Sequence, residues 1–157
     1  MVDAAYELSP QVLKGHYIEA VMVDLDDTLV ASGDMTLKKA YYDWIVSLKK
    51  AGIPVLILSN GTKKRVAYWT QELGISGFAL SGKPFLGFKR ALKQLGKPAA
   101  KTAMIGDQLF TDVLGAKLAG MQSVWVMPLS AKGLLHTRLL RKLETSLRQR
   151  FISKDLS

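Results

Sequence analysis

"VMVDLDDTLV", residues 21–30, sets three carboxylates, Asp24, Asp26 and Asp27, within four positions, directly behind an apolar run. Such a run suits a strand buried on both faces, with the acids standing just past its carboxyl end. Acids are scarce in this chain: its 157 residues carry 13 Asp+Glu against 22 Lys+Arg, for a formal net charge of +9. Crowded carboxylates raise one another's pKa and oppose ionisation, so the cluster calls for a compensating cation.

Working outward, short apolar runs alternate with helical patterns. Strands are expected at 17–25, 53–59, 77–80, 101–107 and 122–128. Helices are expected at 36–52, 62–74, 85–96 and 111–120, the first with Thr36 as N-cap and Gly52 as its stop. A last helix, basic and amphipathic, is expected at about 134–151. It carries Arg138, Arg141, Lys142, Arg148 and Arg150, with Leu135, Leu139, Leu143, Leu147 and Phe151 recurring every four residues. The alternation predicts a Rossmann-like α/β fold in three layers, a five-stranded parallel sheet with helices on both faces. One domain is expected over residues 1–157, with its core at about 17–128.

Composition excludes several classes. There are no cysteines, so disulfides, zinc–thiolate sites and cysteine nucleophiles are out. No apolar run reaches the roughly 18–20 residues of a membrane span. The start, "MVDAAYELSP", has acids where a signal peptide needs a positive, then apolar, stretch. A cytoplasmic protein is expected, with a peripheral place on a membrane as the variant. The basic excess points to polyanionic partners: nucleic acid, an acidic membrane surface or phosphorylated substrates.

Parallel sheets bind ligands beyond the carboxyl ends of their strands. Four polar segments stand at such ends: Asp24 to Thr28, Ser59 to Thr62, Lys83-Pro84, and Gly106 to Asp112. Each alone has an ordinary reading, as turn acids, a helix cap, a solvated lysine and a second cap. Together they form a site for phosphate. Mg²⁺ takes oxygen ligands and is held by one or two carboxylates plus substrate phosphate, which suits Asp24 and Asp107. Lys83 offsets the charge that phosphate adds. Ser59 and the amides of Asn60 and Gly61 suit phosphate oxygens, and the following helix points its N-terminus the same way.

At these four segments the chain resembles the haloacid dehalogenase (HAD) superfamily of phosphohydrolases. "DLDDTLV", "LILSNG", "SGKP" and "GDQLFTD" match its four motifs in order, over roughly residues 18–128. Within it, the chain most resembles the YqeG-type phosphatases of subfamily IIIA, relatives of the mitochondrial phosphatidylglycerophosphatase. It departs at Asp27, Gly61 and Gly82, where Asn, Asn and Arg are the commoner residues in that family.

The resemblance implies a covalent route. Asp24 is the nucleophile and Asp26 the acid and then the base. Asp24, Asp107 and the Asp26 carbonyl hold Mg²⁺. Ser59 and Lys83 fix the phosphoryl group, and Asp112 supports the lysine or a metal-bound water. Asp27 is expected to shape the loop rather than react.

Many HAD enzymes close a cap domain over small substrates. Here 32 residues separate Asp26 from Ser59 and 23 separate Ser59 from Lys83, each stretch filled by a helix and a strand. No cap domain is therefore expected. An open site favours a large or surface-held substrate, for which the resemblance implies phosphatidylglycerophosphate at a membrane surface. Lys63, Lys64 and Arg65 are expected as a basic surface at the site mouth. The alternatives are a phosphatase of nucleic-acid ends, not favoured, or of phosphoprotein. A non-catalytic phosphoacceptor switch is a third reading, which the second carboxylate at Asp26 argues against. A homo-oligomer, with a partner subunit as lid, is compatible with the same open site.

Overall fold

The computed structural model describes residues 1–83 and 86–130. The expected basic helix at 134–151, and the segment at Pro84 and Phe85, lie outside these described residues. Five strands form one parallel sheet: β1 (Ala20–Val23), β2 (Val55–Leu58), β3 (Ser76–Phe78), β4 (Thr102–Gly106) and β5 (Gln122–Trp125). Their order across the sheet is β3-β2-β1-β4-β5. Val21 pairs with Val55 on one side and Ala103 on the other, so β1 is central.

Side chains alternate along each strand, and the two sets enter different cores. Val21 and Val23 of β1, Val55 and Ile57 of β2, and Ala103 and Ile105 of β4 face one side. There they meet α1 (Pro10–Gly15), α2 (Lys39–Lys50) and α3 (Lys63–Leu73), through Leu13, Trp44, Leu48 and Trp69. Met22, Leu56, Leu58 and Met104 face the other side, against α4 (Leu86–Leu95) and α5 (Gly115–Leu118), through Phe88, Ala91 and Ala116. Helices on both faces of a parallel sheet are the expected three layers. Complete burial explains why β1 and β2 read as unbroken apolar runs and why β4 is apolar past Thr102, whose buried hydroxyl donates to Pro98 O (2.9 Å).

Two local expectations need correction, and one segment carried none. The helix expected at 36–52, α2, starts at Lys39, not beside Thr36, because Asp34 Oδ1 takes the amides of Met35 (2.7 Å) and Thr36 (3.0 Å) and turns the chain there first. The region expected as one α-helix at 111–120 begins as a π-helix, Leu109–Leu114, and only then becomes α5. The N-terminal residues, unassigned from sequence, form a 3₁₀ turn (Ala5–Glu7) and α1. Ser9 caps α1 by accepting from Val12 N (3.3 Å), Pro10 fits its first turn, and Trp44 Nε1 donates to Leu8 O (2.8 Å).

Candidate active site

Asp24 follows β1, Ser59 follows β2 and Asp107 follows β4, so parallel pairing alone brings three of the four segments to one edge. Lys83 joins them from the loop beyond β3. Its side chain is only 1% exposed, and Nζ donates to Asp24 Oδ1 (2.7 Å) and to Asp112 Oδ1 (2.6 Å). Asn60 holds that loop in place: its Oδ1 accepts from Ser81 Oγ (3.0 Å) and from Lys83 N (3.1 Å). Asn60 thus has a side-chain role that its sequence context did not suggest.

Asp112 reaches the lysine because the chain winds as a π-helix after β4. Its second oxygen, Oδ2, accepts from Gln108 N (3.1 Å). Gly106 makes room for this carboxylate, since a Cβ there would fall on Oδ2. Asp107 Oδ1 accepts from Thr28 Oγ1 (3.3 Å), and its carbonyl accepts from Trp125 Nε1 (2.8 Å).

Asp24, Asp107 and Asp112 each present a carboxylate oxygen within 4.8 Å of the other two, and all three are buried. One ammonium faces three acids. Burial pushes Asp24 up to about 7, with Asp112 adding to the rise and Lys83 opposing it. Burial, then the charges of Asp24, Asp112 and Asp27, push Asp107 up to about 8. Burial alone would lower Lys83, but Asp112 and Asp24 outweigh it and hold the lysine above its ordinary value. The unbalanced negative charge and all-oxygen donor set fit a hard divalent cation such as Mg²⁺. Asp112 is committed to Lys83 and Gln108, which leaves Asp24 and Asp107 as the better-suited carboxylate ligands.

The remaining motif residues surround this centre. Ser59 is buried, and its Oγ accepts from Gly61 N (2.9 Å), so that amide is engaged locally. Asp26 is half-buried and accepts from Arg65 Nε (2.7 Å). Lys63 and Lys64 are exposed as expected, but Arg65 is not a third member of a surface patch: its side chain is 16% exposed. Sequence carried one faint signal for this. Thr62 caps α3, which makes Arg65 its third residue, and helical side chains lean back toward the N-terminus.

Asp27 adopts the left-handed conformation, φ 62°. Its Oδ1 accepts from Ser32 N (3.1 Å), Ser130 N (3.1 Å) and Ser130 Oγ (2.6 Å), while its carbonyl accepts from Leu129 N (3.0 Å). It ties the loop after β1 to the segment after β5, a partner no local pattern reveals.

Several known proteins are similar to this chain. Residues 80–146 match the family model of HAD-like hydrolases. The chain is 31% identical over 144 residues to the Bacillus subtilis (strain 168) protein called "Probable phosphatase YqeG", covering 91% of this chain and 84% of that one. A crystal structure of an uncharacterized protein from Listeria monocytogenes serotype 4b superposes with a TM-score of 0.61 at 20% identity, covering 74% of this chain and 85% of that one. The cobalt-bound deoxy-D-mannose-octulosonate 8-phosphate phosphatase YrbI of Haemophilus influenzae superposes with a TM-score of 0.58 at 26% identity, covering 69% and 68%. Such identity across most of both chains leaves one assignment: the protein belongs to the HAD-like hydrolases, in the family of the YqeG phosphatase, and is an enzyme of the HAD phosphatase type.

Proposed function

We propose that the chain, working as one domain, is an Mg²⁺-dependent phosphomonoesterase that passes through an aspartyl-phosphate on Asp24. The observation that carries this reading is the Lys83 ammonium bonded to both Asp24 and Asp112, beside Asp107, at the carboxyl edge of the sheet. Asp24 and Asp107 would hold the cation, with the Asp26 carbonyl as a third ligand. When bound, Mg²⁺ supplies charge neutralisation for the phosphoryl group.

The protein's own groups divide the work. An Asp24 carboxylate oxygen bonds to phosphorus as the ester P–O bond breaks. The proton on Asp26 goes to the departing oxygen. Water then attacks the same phosphorus and gives a proton to Asp26, and the Asp24–phosphorus bond breaks to release inorganic phosphate. Lys83 offsets the negative charge spread over the phosphoryl oxygens, and Ser59 hydrogen-bonds one of them. Asp112 keeps Lys83 aimed at this place. Two acids two residues apart can act differently because one is buried against Lys83 while the other is paired to Arg65.

A large, amphiphilic phosphomonoester is the substrate class we favour, phosphatidylglycerophosphate being the type. Between Asp27 and Leu58 the described chain spends its length on a loop, α2 and β2. Between Asn60 and Gly82 it spends it on α3, β3 and short loops, which supports an open site. Leu80 and Leu86 stand three residues either side of Lys83 and are 61% and 80% exposed, an apolar setting for a phosphate. Lys63 and Lys64 suit an anionic surface and a peripheral membrane location. Among the described residues, no helix is long and apolar enough to cross a membrane.

The test is hydrolysis of para-nitrophenyl phosphate with Mg²⁺, which Asp24→Asn should abolish. Activity persisting in that variant would overturn the nucleophile. Purified protein should then prefer phosphatidylglycerophosphate in vesicles over small sugar phosphates and 3′-phosphorylated oligonucleotides. A preference for sugar phosphates would overturn the open-site reading.

A further inference from the structure

Arg65 reaches four acceptors in one continuous stretch of the chain, residues 26–35, the longest contact being Nη1 to Met35 Sδ (3.6 Å). Its Nε donates to Asp26 Oδ1 (2.7 Å), Nη1 to the carbonyl of Asp34 (2.7 Å) and Nη2 to the carbonyl of Ala31 (3.3 Å). The guanidinium therefore links the second acid, the loop that follows it, and the helix that begins behind Ser59. Its planar fork matters, because a lysine offers no rigid set of donors for several acceptors at once.

The bond falls on one oxygen of Asp26. The other, Oδ2, lies on the Ser59 side: a Cβ built on Gly61 would sit 3.1 Å from Asp26 Oδ2 and 3.1 Å from Ser59 Oγ. Asp26 is 25% exposed, so packing alone does not define its carboxylate plane. Arg65 supplies the missing restraint, and the absent side chain at Gly61 leaves Oδ2 open toward the site.

We propose that Arg65 is a positioning residue for the proton-transfer step. It grips Asp26 by Oδ1 and presents Oδ2 to the leaving oxygen of the substrate. This rests on Asp26 being the proton carrier. A clamp that only braces the loop against α3 would slow every substrate alike. A clamp that aims the acid matters most where the leaving group needs a proton. Phenolate, with a pKa of about 10, gains from protonation as it leaves. Para-nitrophenolate is stabilised by its nitro group and gains little.

The experiment compares kcat/KM on phenyl phosphate and para-nitrophenyl phosphate for wild type, Arg65→Gln and Asp26→Asn, with thermal melts alongside. A positioned general acid contributes about 10²–10⁴-fold. Asp26→Asn should therefore lose far more on phenyl phosphate. Arg65→Gln should lose about tenfold more there than on para-nitrophenyl phosphate, in kcat rather than KM. Equal losses in Arg65→Gln, with Asp26→Asn still separating the two substrates, would overturn the role of Arg65. If Asp26→Asn fails to separate them, the proton-carrier reading fails first and takes this inference with it. Should Arg65→Gln not fold, Arg65→Lys carries the same comparison, since it keeps the charge and loses the fork.

Discussion

Lys83 Nζ lies 2.6 Å from Asp112 Oδ1, and both side chains are out of solvent. The two residues are 29 positions apart and meet only because the loop after β3 and the π-helix after β4 converge. Removing one partner of a buried ion pair leaves an uncompensated charge and costs about 3–5 kcal/mol. Lys83→Met strands both Asp24 and Asp112. It should lower stability by about that much in denaturant melts without metal, and abolish phosphatase activity. Mg²⁺ should recover part of the stability and none of the activity.

Gly106 lies under the same ion pair. A Cβ there would collide with the Asp112 carboxylate, whose grip on Lys83 and Gln108 N would loosen. Gly106→Ala should cost about 1–3 kcal/mol and lower kcat severalfold or more. Gly15→Ala is the control: nothing lies within 4 Å of its new Cβ, and it should change stability by less than about 0.5 kcal/mol. Paired urea melts and kinetics check both.

The crowded carboxylates predict a pH dependence of stability in metal-free protein. Asp107 sits near 8 and Asp24 near 7 in the fold, while an unfolded Asp titrates at about 3.9. Both folded values are raised, so between about pH 4 and 8 the unfolded state binds fewer protons than the folded one. Stability from these groups is present below about pH 4 and is lost as pH rises through 7 and 8. Mg²⁺ held by the ionised carboxylates would oppose that loss. The melting temperature gained on adding Mg²⁺ should therefore be larger at pH 8 than at pH 5. Asp107→Asn should flatten the metal-free slope and shrink the Mg²⁺ shift.

Asp27 predicts a graded pair of variants. Asn tolerates the left-handed conformation and keeps an acceptor for Ser32 and Ser130, so Asp27→Asn should be mild. Asp27→Ala loses the charge-assisted bonds and strains the backbone, and should cost about 1.5–3 kcal/mol in denaturant melts. Amide exchange at Ser32 and Ser130 should rise in the alanine variant and stay near wild type in the asparagine one.

The buried parallel sheet was legible in the sequence, because strands covered on both faces must be apolar throughout. The 17–25, 53–59 and 101–107 runs say so without a partner. Their carboxyl ends then had to bring Asp24, Ser59 and Asp107 to one edge, since parallel pairing leaves no other arrangement. Helix starts were less legible. Asp34 captures the amides near Thr36 by a side-chain bond, and the π-helix at Leu109–Leu114 differs from an α-helix by less than its residue pattern can express. Tertiary structure alone decided the pairings between segments. Arg65 reads as one of three surface cations in "TKKR", yet it closes on Asp26, 39 residues earlier. Asp27 reads as a loop acid, yet it binds Ser130, 103 residues later. Local pattern reports which face a residue turns and how polar it is. Which charge it meets depends on how separate loops approach in space, and that only the packed chain defines.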